Sequence, residues 1–106
     1  MVMIGAGKVD KQGRVLLPAG WRKGCKEVNC FYDVEWEVFC VMPIQDEEAN
    51  RRVNGVARSS LPIAKVDGKG RISIPKCFLK KMRYPEEVEF VMGGYLEDKL
   101  IIYPVG

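Results

Sequence analysis

The stretch "KVDKQGRVLLP" at residues 8–18 returns as "KVDGKGRISIP" at residues 65–75. Extended to residues 8–26 and 65–83, an offset of 57, the match pairs Lys8 with Lys65, Val9 with Val66, Asp10 with Asp67, Gly13 with Gly70, Arg14 with Arg71, Pro18 with Pro75 and Lys23 with Lys80 as identities. Val15/Ile72, Leu17/Ile74 and Trp21/Phe78 are close in kind. The chain therefore reads as a tandem duplication. The first repeat covers residues 1–44, a linker 45–60 and the second repeat 61–106, and the two repeats are expected to form one compact domain.

In each copy apolar runs flank a four-residue turn ending in glycine, which is a hairpin signature. Gly13 and Gly70 are expected at positive φ, in a type I turn with a bulge, where a Cβ adds ~1–2 kcal/mol of strain. Asp10 and Asp67 head the turns, where a carboxylate bonds backbone N–H groups two residues on, so they read as architectural. Pro18 and Pro75 suit the first turn of a helix. In the second copy a helix is expected from Pro75 until Pro85 forbids continuation, with Phe78 and Met82 inward and Lys76, Lys80 and Arg83 along another face. In the first copy Trp21 and Cys25 match the apolar pair and Lys23 and Lys26 the basic stripe. Gly20 and Gly24 each cost ~1 kcal/mol of helix propensity, so this helix is expected to be shorter, ending near Gly24.

Both copies close on strand-like material. Val34, Trp36 and Val38 alternate with Asp33, Glu35 and Glu37, the period of a strand with one wet face. "LEDK" (96–99) reads as a turn before "LIIY". The linker is polar, and Glu47/Arg51 and Glu48/Arg52 are spaced to support a short helix. A copy of about 50 residues buries little core alone. The expected fold is thus mainly β with short helices, a pseudo-two-fold barrel from two tandem βαβ-type repeats whose hairpins pair or interleave.

The chain has 106 residues, is 47% hydrophobic and contains no histidine. No run approaches the ~18 apolar residues of a membrane span, and the first residues lack a secretion-signal pattern, so a soluble cytoplasmic protein is expected. The absent histidine removes the commonest general base and the commonest zinc arrangements, so neither an enzyme nor a metal or cofactor site is expected. Cys25, Cys30, Cys40 and Cys77 form no C-x-x-C pair and read as buried small hydrophobes, with a disulfide left open for a hyperthermophile source.

Charge is sorted along the chain. Residues 8–26 and 65–83 hold 13 of the 17 basic residues and 2 of the 14 acids, a net +11 that leaves −8 elsewhere. Recurrence of the same bases in equivalent halves points to one basic face for a polyanion. Duplex DNA fits it best, and ~6 phosphate contacts give a salt slope near −5. The candidate contacts are Lys8, Lys11, Arg14, Arg22, Lys23, Lys65, Lys69, Arg71, Lys76 and Lys80. Arg14 and Arg71 stand out because a guanidinium fork bonds a phosphate or guanine edge bidentately. Their structural alternative is an ion pair with Asp10 and Asp67, and both roles are compatible. RNA is less favoured, since Trp21, Phe78, Tyr32 and Tyr95 fall in core-like patterns.

At "VDKQGRVLLPAGWRK" and "VDGKGRISIPKCFLKKM" the sequence resembles the SpoVT-AbrB superfamily of swapped-hairpin DNA-binding proteins. With two Asp-x-x-Gly-Arg copies in one chain it more specifically resembles the MraZ branch, and "FVMGGYLEDKLIIYP" (90–104) is similar to the strand–turn–strand that follows the motif there. The resemblance implies a swapped-hairpin barrel and sequence-selective binding to promoter DNA, usually in a symmetric assembly, with transcriptional control as the outcome. It assigns Lys8, Arg14, Arg22, Lys23, Lys65, Arg71 and Lys80 to the DNA face. The copies differ where Leu79 stands opposite Arg22. The competing readings are an antitoxin of this fold and a protein-interaction or assembly module without strong DNA binding. The antitoxin needs a long tail after the last strand, whereas this sequence runs only to "IIYPVG". No membrane or small-molecule partner is expected, and a homo-oligomer remains open.

Overall fold

Each Asp-x-x-Gly-Arg turn closes as its residues dictate. The Gly13 N–H donates to Asp10 O at 3.0 Å and the Asp10 N–H to Arg14 O at 2.9 Å, and the second copy repeats both bonds at 2.9 Å through Gly70, Asp67 and Arg71. Gly13 and Gly70 sit at φ 78° and 85°, the left-handed region expected of them. A computed structural model of the chain describes residues 2–44, 52–53, 56–57, 61–92 and 99–105.

The first repeat forms β1 (Val2–Lys8), β2 (Arg14–Leu16), α1 (Ala19–Arg22), β3 (Glu27–Asp33) and β4 (Val38–Pro43). A small hairpin, β5 (Arg52–Val53) and β6 (Val56–Ala57), follows. The second repeat forms β7 (Ile63–Lys65), β8 (Arg71–Ser73), α2 (Lys76–Lys81), β9 (Glu87–Met92) and β10 (Leu100–Val105). The described chain is mainly β with two short helices. None of its helices is long and apolar enough to cross a membrane.

The strands that flank each turn find their main partners in the other repeat. β1 pairs with β9, β7 with β3 and β2 with β8, all antiparallel. The six-stranded sheet runs β1-β9-β10-β4-β3-β7, and β2-β8 is a separate ribbon. Exchanging the repeats maps the ladders onto each other. Lys8 opposite Glu87 becomes Lys65 opposite Glu27, and Val88 opposite Pro104 becomes Val28 opposite Pro43. Two pairs map onto themselves, Val15 with Ile72 in the ribbon and Cys40 with Ile101 at the sheet's centre.

This register corrects one alignment. Lys26 O accepts from the Val66 N–H as Glu86 O accepts from the Val9 N–H, so the positional counterpart of Lys26 is Glu86 and not Arg83. Three more residues separate Pro75 from Glu86 than separate Pro18 from Lys26. They extend and cap α2, which stops at Lys81, short of the expected Pro85. The Arg83 N–H bonds Lys80 O and the Tyr84 N–H reaches back to Leu79 O, a Schellman-type end in which Arg83 takes the left-handed conformation usually left to glycine. α1 is shorter, as expected, and Gly24 follows its end at φ 72°.

The main core lies between one face of the sheet, the inward side of the ribbon (Val15, Ile72) and α2, whose Phe78 ring sits 4.9 Å from that of Phe39. A second cluster, with Phe31, Val38, Cys40, Met42 and Ile101, lies on the sheet's other face, so β4 is buried on both sides. The alternation over Asp33–Val38 predicts a strand, but residues 34–37 form a turn. Asp33 is buried and its Oδ1 accepts from the Glu35 and Trp36 N–H groups, while Glu37 takes φ 55°. A carboxylate that satisfies the turn's own donors outcompetes the ladder. In the linker Arg52 lies in a strand instead of the expected helix, whereas Glu47, Glu48 and Arg51 lie outside the described residues, as do residues 96–98 of the expected "LEDK" turn. All four cysteines are free thiols. Cys30 and Cys40 are buried as expected, Cys25 is half-buried and Cys77 is exposed, its place on α2 facing away from Phe78 and Leu79.

Candidate nucleic-acid interface

The ribbon places the two signature arginines on one face. Val15 and Ile72 point into the core, so Arg14 and Leu16 on β2 and Arg71 and Ser73 on β8 point outward. Arg14 stands opposite Ser73 and Arg71 opposite Leu16, which makes the arginines diagonal neighbours, about 7–8 Å apart at the backbone.

Each arginine is aimed by its own turn. Asp10 Oδ1 accepts from the Gln12 and Arg14 N–H groups at 2.9 and 2.8 Å, and its Oδ2 accepts from Arg14 Nε at 2.8 Å. Asp67 does the same with the Lys69 and Arg71 N–H groups and with Arg71 Nε, each at 2.9 Å. The Arg14 N–H, followed by its guanidinium and the Gln12 N–H, holds the Asp10 carboxyl below the usual range against an opposing pull from desolvation. The corresponding bonds from Arg71 and Lys69 lower Asp67 to about 2. Both aspartates are therefore ionised at neutral pH. Engaging Nε leaves the four terminal N–H donors of each guanidinium for a ligand. The ion pair expected with each turn aspartate is thus formed, and it does not use those terminal donors.

The turns dock on helices of the opposite repeat. The Ile74 N–H donates to Gly13 O at 2.9 Å, and Leu79 Cδ1 lies 2.6 Å from where a Gly13 Cβ would stand. Correspondingly, the Leu17 N–H donates to Gly70 O at 3.0 Å, and the Arg22 guanidinium occupies the place where a Gly70 Cβ would stand. Arg22 is half-buried, with Nε donating to Leu17 O at 3.0 Å. It packs where Leu79 packs in the other half, whereas the sequence marks it only as a basic contact.

The other basic candidates spread around this frame. Lys8, Lys11 and Lys76 line one groove between the first turn and α2, together with Tyr84, Glu86 and Glu87. Lys69 projects from the second turn, Lys23 follows α1 and Lys80 lies on α2, all exposed. Lys8 and Lys65 face Glu87 and Glu27 across their ladders, so a carboxylate stands beside each. Lys81 leans over the Tyr32 ring at 4.9 Å. Exposed Leu16 and Tyr84 were not singled out in the sequence. Leu16 becomes exposed because a three-residue ribbon has only one inward position, and Tyr84 because the α2 cap turns it outward. Among the described residues no group of three or more His, Cys, Asp or Glu side chains is arranged to hold a metal ion.

No protein-family model matches the chain, and no curated protein matches it.

Proposed function

We propose that the chain is a sequence-selective double-stranded DNA-binding protein, a transcriptional regulator that lacks enzymatic activity and works in the cytoplasm. We further propose that its sheet and ribbon are the pseudo-two-fold, swapped-hairpin barrel of the SpoVT-AbrB type, in the MraZ-like form with both copies on one chain. The exchange-symmetric ladders support that topology. The observation that carries the function is the ribbon, where Arg14 and Arg71 share an exposed face and are each oriented by a turn aspartate. Fold alone does not require arginine at these positions, because a tight turn is completed by its aspartate and glycine. Guanidiniums held in fixed directions with terminal donors to spare suit bidentate contacts to phosphate or guanine.

A gel shift on random and genomic duplexes across salt tests this reading. Binding should weaken with a log–log slope near −5, and Arg14→Ala/Arg71→Ala should remove most of the affinity. Absent or salt-insensitive binding refutes the reading, and unchanged binding by the double variant refutes the two arginines. An assembly module on the same fold is the second reading. It draws on Val34 and Trp36, which are 75% and 63% exposed at the β3–β4 turn between acidic neighbours. It prevails if the wild type binds no duplex and self-associates through a contact that Trp36→Ser removes.

A further inference from the structure

Resting on the reading above, we propose that the two halves of the basic face are built to read different half-sites, so that the chain binds a non-palindromic duplex in one fixed orientation. Each half-face joins the turn of one repeat to the helix of the other. The first couples residues 10–13 to α2 through the Ile74-to-Gly13 bond, and the second couples residues 67–70 to α1 through the Leu17-to-Gly70 bond. The ribbon beneath them pairs symmetrically about Val15 and Ile72 but shows Leu16 outward on one strand where it shows Ser73 on the other, so any difference in readout comes from side chains and not from the ladder.

They carry different chemistry at equivalent places. The first helical position is exposed Lys76 in α2 and Ala19 in α1, and the next is Cys77 against Gly20. Under the first turn lies the buried, neutral Leu79, whereas under the second lies the half-buried Arg22 cation. Beyond the helices Lys26 has Glu86 as its counterpart, so one half carries a cation where the other carries an anion. α2 is also longer, and the extra residues that follow it bring exposed Tyr84 into the lining of the first turn's groove. Cation positions set where phosphates are held, and a change of position moves the contact pattern even where total charge is similar. A two-fold duplex therefore matches one half-face and mismatches the other.

Selection from a random-sequence duplex library, followed by hydroxyl-radical footprinting of wild type and Lys76→Ala on the enriched site, tests the proposal. The expected consensus has unlike halves, and Lys76→Ala should lose protection in one half only while the salt slope falls by about 1. The variant Ala19→Lys/Arg22→Leu, which gives α1 the residues of α2 at two positions, should shift the consensus toward an inverted repeat. A wild-type consensus that is already an inverted repeat, or protection lost equally in both halves, overturns the proposal. Enrichment of no duplex by the wild type overturns the DNA reading, and this inference falls with it.

Discussion

The guanidinium of Arg22 lies on Gly70, in the space a Cβ would need. In the other half the same space above Gly13 belongs to Leu79, and the two obstacles differ in how readily they move. Arg22 ends a long, half-buried side chain, whereas Leu79 is 7% exposed and locked in the main core. Both glycines sit at positive φ, so alanine adds ~1–2 kcal/mol of backbone strain at either. At Gly13 it also overpacks Leu79, for a further ~1–3 kcal/mol. Gly13→Ala is thus expected to destabilise more than Gly70→Ala in urea unfolding. Equal losses would show that Arg22 is as fixed as Leu79.

The two turn aspartates make a pH prediction. Their folded carboxyls titrate below the ordinary aspartate range, Asp67 at about 2. A group whose pKa is depressed by folding contributes stability above its unfolded pKa and loses that contribution as pH falls through the folded one. The melting temperature should therefore drop between about pH 4 and pH 2, and the drop should be shallower in Asp10→Asn/Asp67→Asn than in wild type. An identical acid limb in the double variant would assign acid unfolding to other carboxylates. Both aspartates are exposed, so the effect is read as a change of slope rather than a collapse.

The parts of this fold that a local rule governs were legible in the sequence. Glycine at positive φ, the aspartate-headed turns, the proline before each helix and the weaker first helix all depend on a few adjacent residues, and the duplication made each visible twice. Pairing was less legible, because which strand lies against β1 or β2 depends on two segments brought together across the chain. The Lys26/Glu86 equivalence is of that kind, appearing only once the Val9 and Val66 donors are seen to reach corresponding carbonyls. The site follows the same division. The Asp10–Arg14 and Asp67–Arg71 pairs were anticipated from spacing, whereas the burial of Arg22 against the opposite turn required the interleaved fold.

Thiol reactivity checks the burial pattern independently. Cys30 and Cys40 are fully buried, and desolvation pushes both thiols up to about 12. Burial also raises Cys25, whose Sγ contacts Glu27 O at 3.2 Å. Cys77 is exposed on α2. A thiolate is the reacting species, so an aromatic disulfide reagent at pH 8 should titrate one thiol rapidly in the folded protein and all four after denaturation. Cys77→Ser should abolish the fast phase. A second fast thiol that persists in Cys25→Ser would mean that the sheet around Cys30 or Cys40 opens readily.

Trp36 carries the sharpest disagreement between pattern and structure. Alternation with Glu35 and Glu37 reads it as an inward strand position, where removing a tryptophan costs ~3–5 kcal/mol. The structure instead leaves it 63% exposed on a turn closed by Asp33, whose Oδ1 bonds the Trp36 backbone N–H and not its ring. Serine keeps that N–H. Trp36→Ser should therefore change stability by no more than about 0.5 kcal/mol, the range of surface substitutions, whereas Asp33→Ala removes the acceptor for two turn N–H groups and should cost ~1–3 kcal/mol. Fluorescence separates the outcomes further, since the half-buried Trp21 is the other tryptophan. Loss of Trp36 should remove the component most accessible to acrylamide and shift the remaining emission to the blue. A large stability loss in Trp36→Ser, without that spectral change, would return residues 33–38 to a strand with its tryptophan inside.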